Sequence, residues 1–414
     1  MPESKETIII VGAGLSGLSC ALTLQDAGLH PLILEASDGP GGRVRTDIQE
    51  GFLLDRGFQV YLDAYPNAGA LFDDSSLNLQ PFNPGALVYR QGALHRVMDV
   101  FRSPQHLLPS LFAPVGSLLD KLQVARLRTS ILKTPLEQIG QSEDLKTEEF
   151  LSQSGFSKRI IDTFFRAFYG GIFLERDLRT SSQMFEFTFK MFTEGSATLP
   201  AKGMGQLSEQ LANRIPSEQI CYQTTVSKIT DHQIHLDSQE ALTASHIVLA
   251  TPYHISAELL PQAQIPNIGW RGVTNLYFSA PFSPVSEPII ILNGEDCGLV
   301  NNVAVLSDVS PHYAPEGQSL ISVSLLGLPK KEDLPESIRT ELRNWFGNSV
   351  REWKHLRTDR IPHALPEQLP NAAQMMPLEP PYYLCGDYCA SASIEGAITS
   401  GQKTARRILA TLPS

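Results

Sequence analysis

Thr7-Ile8-Ile9-Ile10-Val11-Gly12-Ala13-Gly14-Leu15-Ser16-Gly17 opens a stretch, running to Glu35, whose reading decides the fold. Ile8 to Val11 is an unbroken β-branched apolar run, as a strand buried on both faces requires. The glycine-rich turn follows, Leu18 to Ala27 carries a helical pattern that Gly28 ends, and His30 to Leu34 is a second apolar run closed by Glu35. Strand, turn, helix, strand and acid in this order predict a βαβ unit for an adenine dinucleotide. Gly12 permits the tight turn, Gly14 lets the backbone approach a pyrophosphate, and Gly17 lets the helix pack against the strand. Ala13, Leu15 and Ser16 complete a turn whose helix N-terminus offers free N–H groups and a positive dipole end. Glu35 can accept hydrogen bonds from ribose hydroxyls, and its charge repels a 2′-phosphate.

Beyond Glu35 and Ala36 comes Gly41-Gly42-Arg43, a second close backbone approach with a fixed cation beside it. With this segment the sequence resembles the flavin amine oxidase superfamily, which includes monoamine oxidases, protoporphyrinogen oxidase and carotene desaturases. The resemblance implies FAD, bound non-covalently, rather than free NAD. The far end agrees. Leu384-Cys385-Gly386-Asp387-Tyr388 and Ser393-Ile394-Glu395-Gly396-Ala397 resemble the family's C-terminal FAD motif. By that resemblance Gly386 and Asp387 lie near the ribityl and pyrophosphate. Ser393 and the Ile394 N–H would sit at a helix N-terminus facing the flavin N1–C2=O locus. Gly51 to Asn67, ending Ala64-Tyr65-Pro66-Asn67, is similar to a stretch of plant-type carotene desaturases. There it runs along the flavin ring, which makes Gly57, Phe58 and Gln59 expected ring contacts. Val226 matches the family's adenine-side valine.

Length and composition bound the rest. A chain of 414 residues predicts two domains. The net charge of −11 argues against nucleic acid as a partner. Five scattered cysteines without a CxxC read as reduced thiols, and ten histidines form no ligand pattern, so no metal is expected. No apolar run is long enough to cross a bilayer, and the first strand starts too near Met1 for a signal peptide, which predicts a cytoplasmic protein. The expected fold class is α/β: a Rossmann-like FAD-binding domain of monoamine oxidase and carotene desaturase topology with an inserted α+β substrate domain. Residues 1–96, 197–262 and 375–414 are assigned to the first, and 97–196 and 263–374 to the second. Ser117 to Leu132 predicts an amphipathic helix with Leu118, Leu122, Ala125 and Leu127 inward and Asp120, Lys121, Gln123, Arg126 and Arg128 outward. Such a helix is ordinarily domain core, and its basic face also fits a membrane surface.

For chemistry, amine oxidases keep a lysine on the strand corresponding to Gly272 to Ser279 and an aromatic residue before their C-terminal motif. This chain has neither: the strand contains Val273-Thr274-Asn275 and the motif is preceded by Ser393. Plant-type desaturases carry a serine there. The expected activity is therefore desaturation or oxidation of a small apolar substrate, polyprenoid- or carotenoid-like, by hydride transfer to flavin N5. Alternatives are an amine oxidase, a protoporphyrinogen oxidase-like enzyme and a reduced-flavin isomerase. Arg56, Gln59, Tyr169 and Tyr383 are catalytic candidates from motif position alone.

Overall fold

A computed structural model describes residues 7–141, 143–295, 297–372 and 375–412. Residues 1–6, 142, 296, 373–374 and 413–414 of the expected domain ranges lie outside the described residues.

The opening stretch folds as its pattern dictates. β1 (Ile8–Val11) is fully buried, and α1 (Leu15–Asp26) follows the turn directly. β2 (Leu32–Leu34) pairs parallel with β1, with Ile10 opposite Ile33. The hairpin β3 (Thr46–Gln49) and β4 (Phe52–Asp55) comes next, then α2 (Pro66–Leu71) and a second hairpin, β5 (Gly85–Arg90) with β6 (Ala93–Met98). A helical block follows: α3 (Leu107–Phe112), α4 (Leu118–Lys133), α5 (Arg166–Phe173) and α6 (Ser182–Glu194). The chain then returns to the first sheet through β7 (Ile220–Cys221), passes β8 (Val226–Thr230), and enters β9 (His246–Leu249). The second excursion holds β10 (Trp270–Ala280), β11 (Ile290–Asn293), β12 (Val300–Val305), β13 (Ser319–Leu326), α7 (Leu334–Phe346) and β14 (Lys354–Pro366). β15 (Tyr382–Leu384) and α8 (Ile394–Leu409) close the chain.

Two sheets organise these elements. The first is five-stranded in the order β7-β2-β1-β9-β15, and every pairing in it is parallel. The chain reverses its direction of winding at β1, so the turn after β1 opens at the crevice where an α/β sheet binds ligand. The second is seven-stranded, β14-β10-β13-β12-β11-β5-β6. The expected domain boundary at 96 is corrected here: the 85–98 hairpin pairs with β11, Ala86 opposite Ile290, so it belongs to the second sheet. Backbone pairing across the interval from 90 to 290 assigned this hairpin, and no local pattern encodes that.

A buried carboxylate ties the halves together. Asp55, at the end of β4, accepts from Thr46 Oγ1 at 2.5 Å, Met204 N at 2.9 Å and Tyr313 OH at 2.8 Å, while its carbonyl accepts from Tyr277 OH at 2.8 Å. Glu395, 5% exposed, does the same for α2: it accepts from Asn67 N, Asn67 Nδ2 and Ala68 N. An acid seated at this helix N-terminus explains why Tyr65-Pro66-Asn67 and Ile394-Glu395-Gly396 occur in one chain.

Tyr169-Gly170-Gly171-Ile172-Phe173 forms the body of α5, which ends at Leu174 in a left-handed conformation. One expectation about the helical block is corrected. At the start of α4 the inward face is reversed, whereas Leu127, 8% exposed, is inward as expected. Asp120 is 2% exposed, and Leu118, Leu119 and Leu122 are 65%, 78% and 50% exposed. The cause is polar: Asp120 closes a capping box with Ser117 and also accepts from Ser157 N and Oγ, both at 2.7 Å. Turning that carboxylate inward turns the leucines outward.

Candidate functional site

The turn after β1 is shaped by close approaches. Gly12 has φ +108°, and a Cβ there would lie 2.9 Å from Ala250 O. A Cβ at Gly17 would lie 2.1 Å from Gly12 O, so the helix could not seat on the strand. Gly14 differs: it has ordinary extended backbone, and a Cβ would meet no protein atom within 4 Å. Gly42 faces the same space, its Cβ position 3.8 Å from Gly14 Cα, while Gly41 N donates to Ala13 O at 2.8 Å. The two glycine turns therefore form the walls of one open cradle. At its back is the first turn of α1, holding Leu15 and Ser16, and no side chain caps it. The fit to a dinucleotide pyrophosphate is direct: free helical N–H groups, and two positions where missing side chains leave room rather than relieve packing.

Glu35 stands beside the cradle. One carboxylate oxygen accepts from Ala13 N at 2.7 Å, and the other accepts from Ser37 N at 2.8 Å and Ser37 Oγ at 2.7 Å. The second oxygen is saturated, so a ribose hydroxyl has one remaining lone pair on the first. Ala36 is exposed alongside. The segment leading to Val226 runs past this acid, with Thr224 N donating to Glu35 O and Gln223 N to Ser37 O. Ser37 was missed in the sequence. Arg45, which donates to Ser37 Oγ and pairs with Asp38, was missed too.

Arg43 and Asp387, from opposite ends of the chain, meet in an ion pair at 2.6 Å. Arg43 also donates to Ala364 O at 3.0 Å, and its guanidinium lies over the Trp270 ring, 5.5 Å from the centroid. Trp270 in turn stacks on Tyr253. Gly386 is fully extended, and a Cβ there would collide with the Tyr388 ring, so this turn is closed around its glycine. At α8, Ser393 Oγ caps Gly396 N at 3.0 Å, and no described group accepts from the N–H of Ile394. That N–H and the dipole of the sixteen-residue helix remain directed out of its N-terminus.

The loop after β4 joins this assembly. Gln59 Nε2 donates to Arg43 O at 2.9 Å and Arg56 O at 3.2 Å, so Gln59 braces the Gly41–Arg43 turn. A Cβ at Gly57, φ +87°, would reach 2.9 Å from Ile361 Cδ1 on the second sheet. Phe58 packs edge-on to Phe82. Arg56 is engaged with Asp47 at 3.1 Å.

Two catalytic candidates are not brought to the site. Tyr383 is fully buried and its hydroxyl meets His246 Nδ1 at 3.2 Å, at the start of β9, the edge of the sheet opposite the cradle. Tyr169 is 2% exposed among Phe165, Phe168, Phe173 and Phe185, and burial drives its pKa far above the ordinary range. Both are core residues: strand alternation aims the first away, and helix periodicity buries the second.

With this geometry in place, comparison with known proteins is decisive for the family. The profile of flavin-containing amine oxidoreductases matches residues 15–409. The chain belongs to that family. Such an oxidoreductase is a flavin enzyme. Among similar sequences, a 15-cis-phytoene desaturase of Glycine max is 25% identical over 99% of this chain and 80% of its own length. The 15-cis-phytoene desaturase of Synechococcus elongatus is 23% identical over 97% of this chain and 96% of its own. The structure of putrescine oxidase bound to putrescine superposes with a TM-score of 0.70 at 18% identity, covering 98% of this chain and 99% of that one. At that identity the likeness establishes the shared fold. No helix among the described residues is long and apolar enough to cross a membrane, and no described cluster of His, Cys, Asp and Glu has the makings of a metal site.

Proposed function

We propose that the chain holds FAD non-covalently and uses it to desaturate or oxidise a small substrate with an apolar, polyprenoid- or carotenoid-like skeleton. The single observation that carries the substrate side is Ser393. Its hydroxyl caps α8, so position 393 itself supplies no aromatic ring to sandwich an amine. The desaturases similar over nearly the whole chain support the same reading.

Bound FAD supplies a two-electron acceptor that takes hydride at N5. The chain's own groups bind and orient it. The α1 N-terminus and the Gly14–Gly42 cradle receive the pyrophosphate, Glu35 the adenosine ribose, and Arg43 and Asp387 lock the opposite wall. The Ile394 N–H, at a positive helix end, favours negative charge on whatever group faces it. Non-covalent retention is supported by Cys389, the thiol next to the Gly386–Asp387 turn. Burial and then the neighbouring Cys385 raise its pKa, which keeps it protonated and a poor nucleophile. The test is an anaerobic visible titration of the purified protein with a lipid extract and then with amines. Bleaching of the flavin band by a lipid fraction is expected; bleaching by an amine alone would refute the substrate class. Acid precipitation should leave all flavin in the supernatant.

A second proposal concerns where substrate is met. Phe112 and Leu118, 82% and 65% exposed, stand with Leu108, Leu119 and Leu122 around the α3–α4 tip. Arg159 donates to Pro114 O within this tip, Lys158 beside it has an 82% exposed side chain, and the tip's own acid, Asp120, is buried. Exposed apolar side chains beside Arg159 and Lys158, the latter paired with Asp162 at 3.0 Å, fit a lipid surface at the cytoplasmic face of a membrane, with anionic headgroups meeting the cations. The protein should sediment with anionic vesicles at low salt, and Leu118→Glu with Leu119→Glu should abolish this. Sedimentation unchanged in that variant would refute the assignment.

A further inference from the structure

One face of the second sheet is unexpectedly polar. Its opposite face is hydrocarbon: Leu276, Val303, Val323 and Leu325 pack with Ile338, Leu342 and Trp345 of α7 in one cluster. Directly across four strands, however, Asp359, Asn275, Ser324 and Asn302 stand in register. Asn275 and Asn302 are 0% and 3% exposed. This face is the one turned to the cofactor half, because Tyr277, two residues along β10, hydrogen-bonds Asp55 O at 2.8 Å. Ile361, two residues along β14 from Asp359, lies under Gly57 in the loop braced to Arg43.

Each carboxamide in the row is half satisfied. Ser322 and Ser324 both donate to Asn275 Oδ1 at 3.0 Å, and Asn275 Nδ2 has no partner among the described residues. Asn302 Oδ1 accepts from Asn301 Nδ2 at 3.0 Å, and Asn302 Nδ2 likewise has none. The orientation of Asn302 is determined: Asn301 Nδ2 also donates to Ala167 O, so flipping Asn302 would set donor against donor. Asn275 as placed also presents Nδ2, whereas turned over it would present an unpaired Oδ1 instead, so the donor that decides this row is that of Asn302. α5 closes over this region through Gly171, where a Cβ would lie 2.9 Å from Asn301 Nδ2 and 3.2 Å from Asn302 Oδ1. The glycine pair in Tyr169-Gly170-Gly171 thus keeps the helix from pressing on the asparagines.

A buried amide donor without an acceptor is costly unless something binds it. We propose that the substrate carries a hydrogen-bond acceptor, a carbonyl, carboxylate or hydroxyl oxygen, on its apolar skeleton, and that Asn302 with Asn275 docks that oxygen against the second sheet. The inference rests on the proposed flavin-dependent turnover of an apolar skeleton and narrows it: a pure hydrocarbon leaves these donors unpaired. Asn302 is a binding and positioning residue, and no proton or hydride passes through it.

The experiment uses the flavin-loaded protein and two probes, geranylacetone and the hydrocarbon in which its carbonyl is replaced by methylene. Binding is read as perturbation of the flavin absorption band, and thermal stability is measured alongside. Wild-type protein should bind the ketone about tenfold more tightly than the hydrocarbon, and the preference should vanish in Asn302→Leu. The variant should melt at or above the wild-type temperature, because an unpaired amide has been replaced by apolar volume. Equal affinity for both probes, or an Asn302→Leu variant that keeps the ketone preference, would overturn this proposal and leave the apolar-substrate reading standing. A variant that melts lower while a buried water bridges the wild-type amides would overturn it too. If neither probe perturbs the flavin, both readings fall together.

Discussion

Gly12 and Gly14 lie two residues apart, yet the structure gives them different duties, and alanine at each separates folding from nucleotide binding. At Gly14 the backbone is extended, φ −73° and ψ 174°, and an added Cβ meets nothing within 4 Å. The loss of an alanine-poor N-cap preference and the gain from a less flexible unfolded chain nearly cancel. Gly14→Ala should therefore change apoprotein stability by less than about 0.5 kcal/mol. The same methyl projects into the cradle and should displace one phosphate contact of the charge-assisted kind. That costs about 2 kcal/mol, or about 30-fold in Kd. At Gly12, φ is +108° and Cβ would stand 2.9 Å from Ala250 O, so alanine should cost the apoprotein at least about 2 kcal/mol before any ligand is added. The assay is urea denaturation of both flavin-free variants, followed by FAD titration read by quenching of flavin fluorescence. Two results would refute the reasoning: Gly14→Ala retaining FAD within threefold of wild type, or losing as much apoprotein stability as Gly12→Ala.

Other outcomes follow from individual contacts. Glu35→Ala and Asp387→Ala should each weaken FAD retention on gel filtration, whereas charge changes at Asp231, in an exposed turn, should leave it unchanged. Glu395→Ala removes the acceptor of three N–H groups from Asn67 and Ala68 and should lower stability by about 3 kcal/mol, measured by urea denaturation. Burial, opposed by hydrogen bonds from Thr46, Tyr313 and Met204, holds the Asp55 pKa up at about 6. A carboxyl raised in the fold stabilises most below its unfolded pKa, about 3.9, and that contribution fades as pH climbs through about 6. It amounts to about 3 kcal/mol across the window, and Asp55→Asn should flatten this limb of the stability profile; an unchanged slope between pH 4 and 6 would show that Asp55 does not titrate there.

Much of the candidate site was legible because its requirements are local. A glycine at positive φ, a β-branched run buried on both faces and an acid after the second strand are each imposed by a few neighbouring atoms. Gly12, Gly17, Glu35 and the Gly41–Arg43 turn accordingly sit where their pattern predicts. Long-range choices were not legible. The periodicity of Ser117 to Leu132 places Leu127 inward, as it is, but not the first turn, where Asp120 bonding Ser157 turns the leucines outward. Tyr383 lies in the motif expected at the cofactor, yet its ring is buried in the core and its hydroxyl meets His246 at the start of β9.

The sequence by itself determined the βαβ unit and the glycine turn after its first strand, because those follow from backbone geometry within about thirty residues. Only the tertiary structure decided that Arg43 is held by Asp387, 344 positions away, that the 85–98 hairpin completes the second sheet, and that Asn275 and Asn302 share a buried polar row. Pairing and burial of distant segments set these, and the free energy of a contact between them depends on the whole packed arrangement rather than on any local pattern.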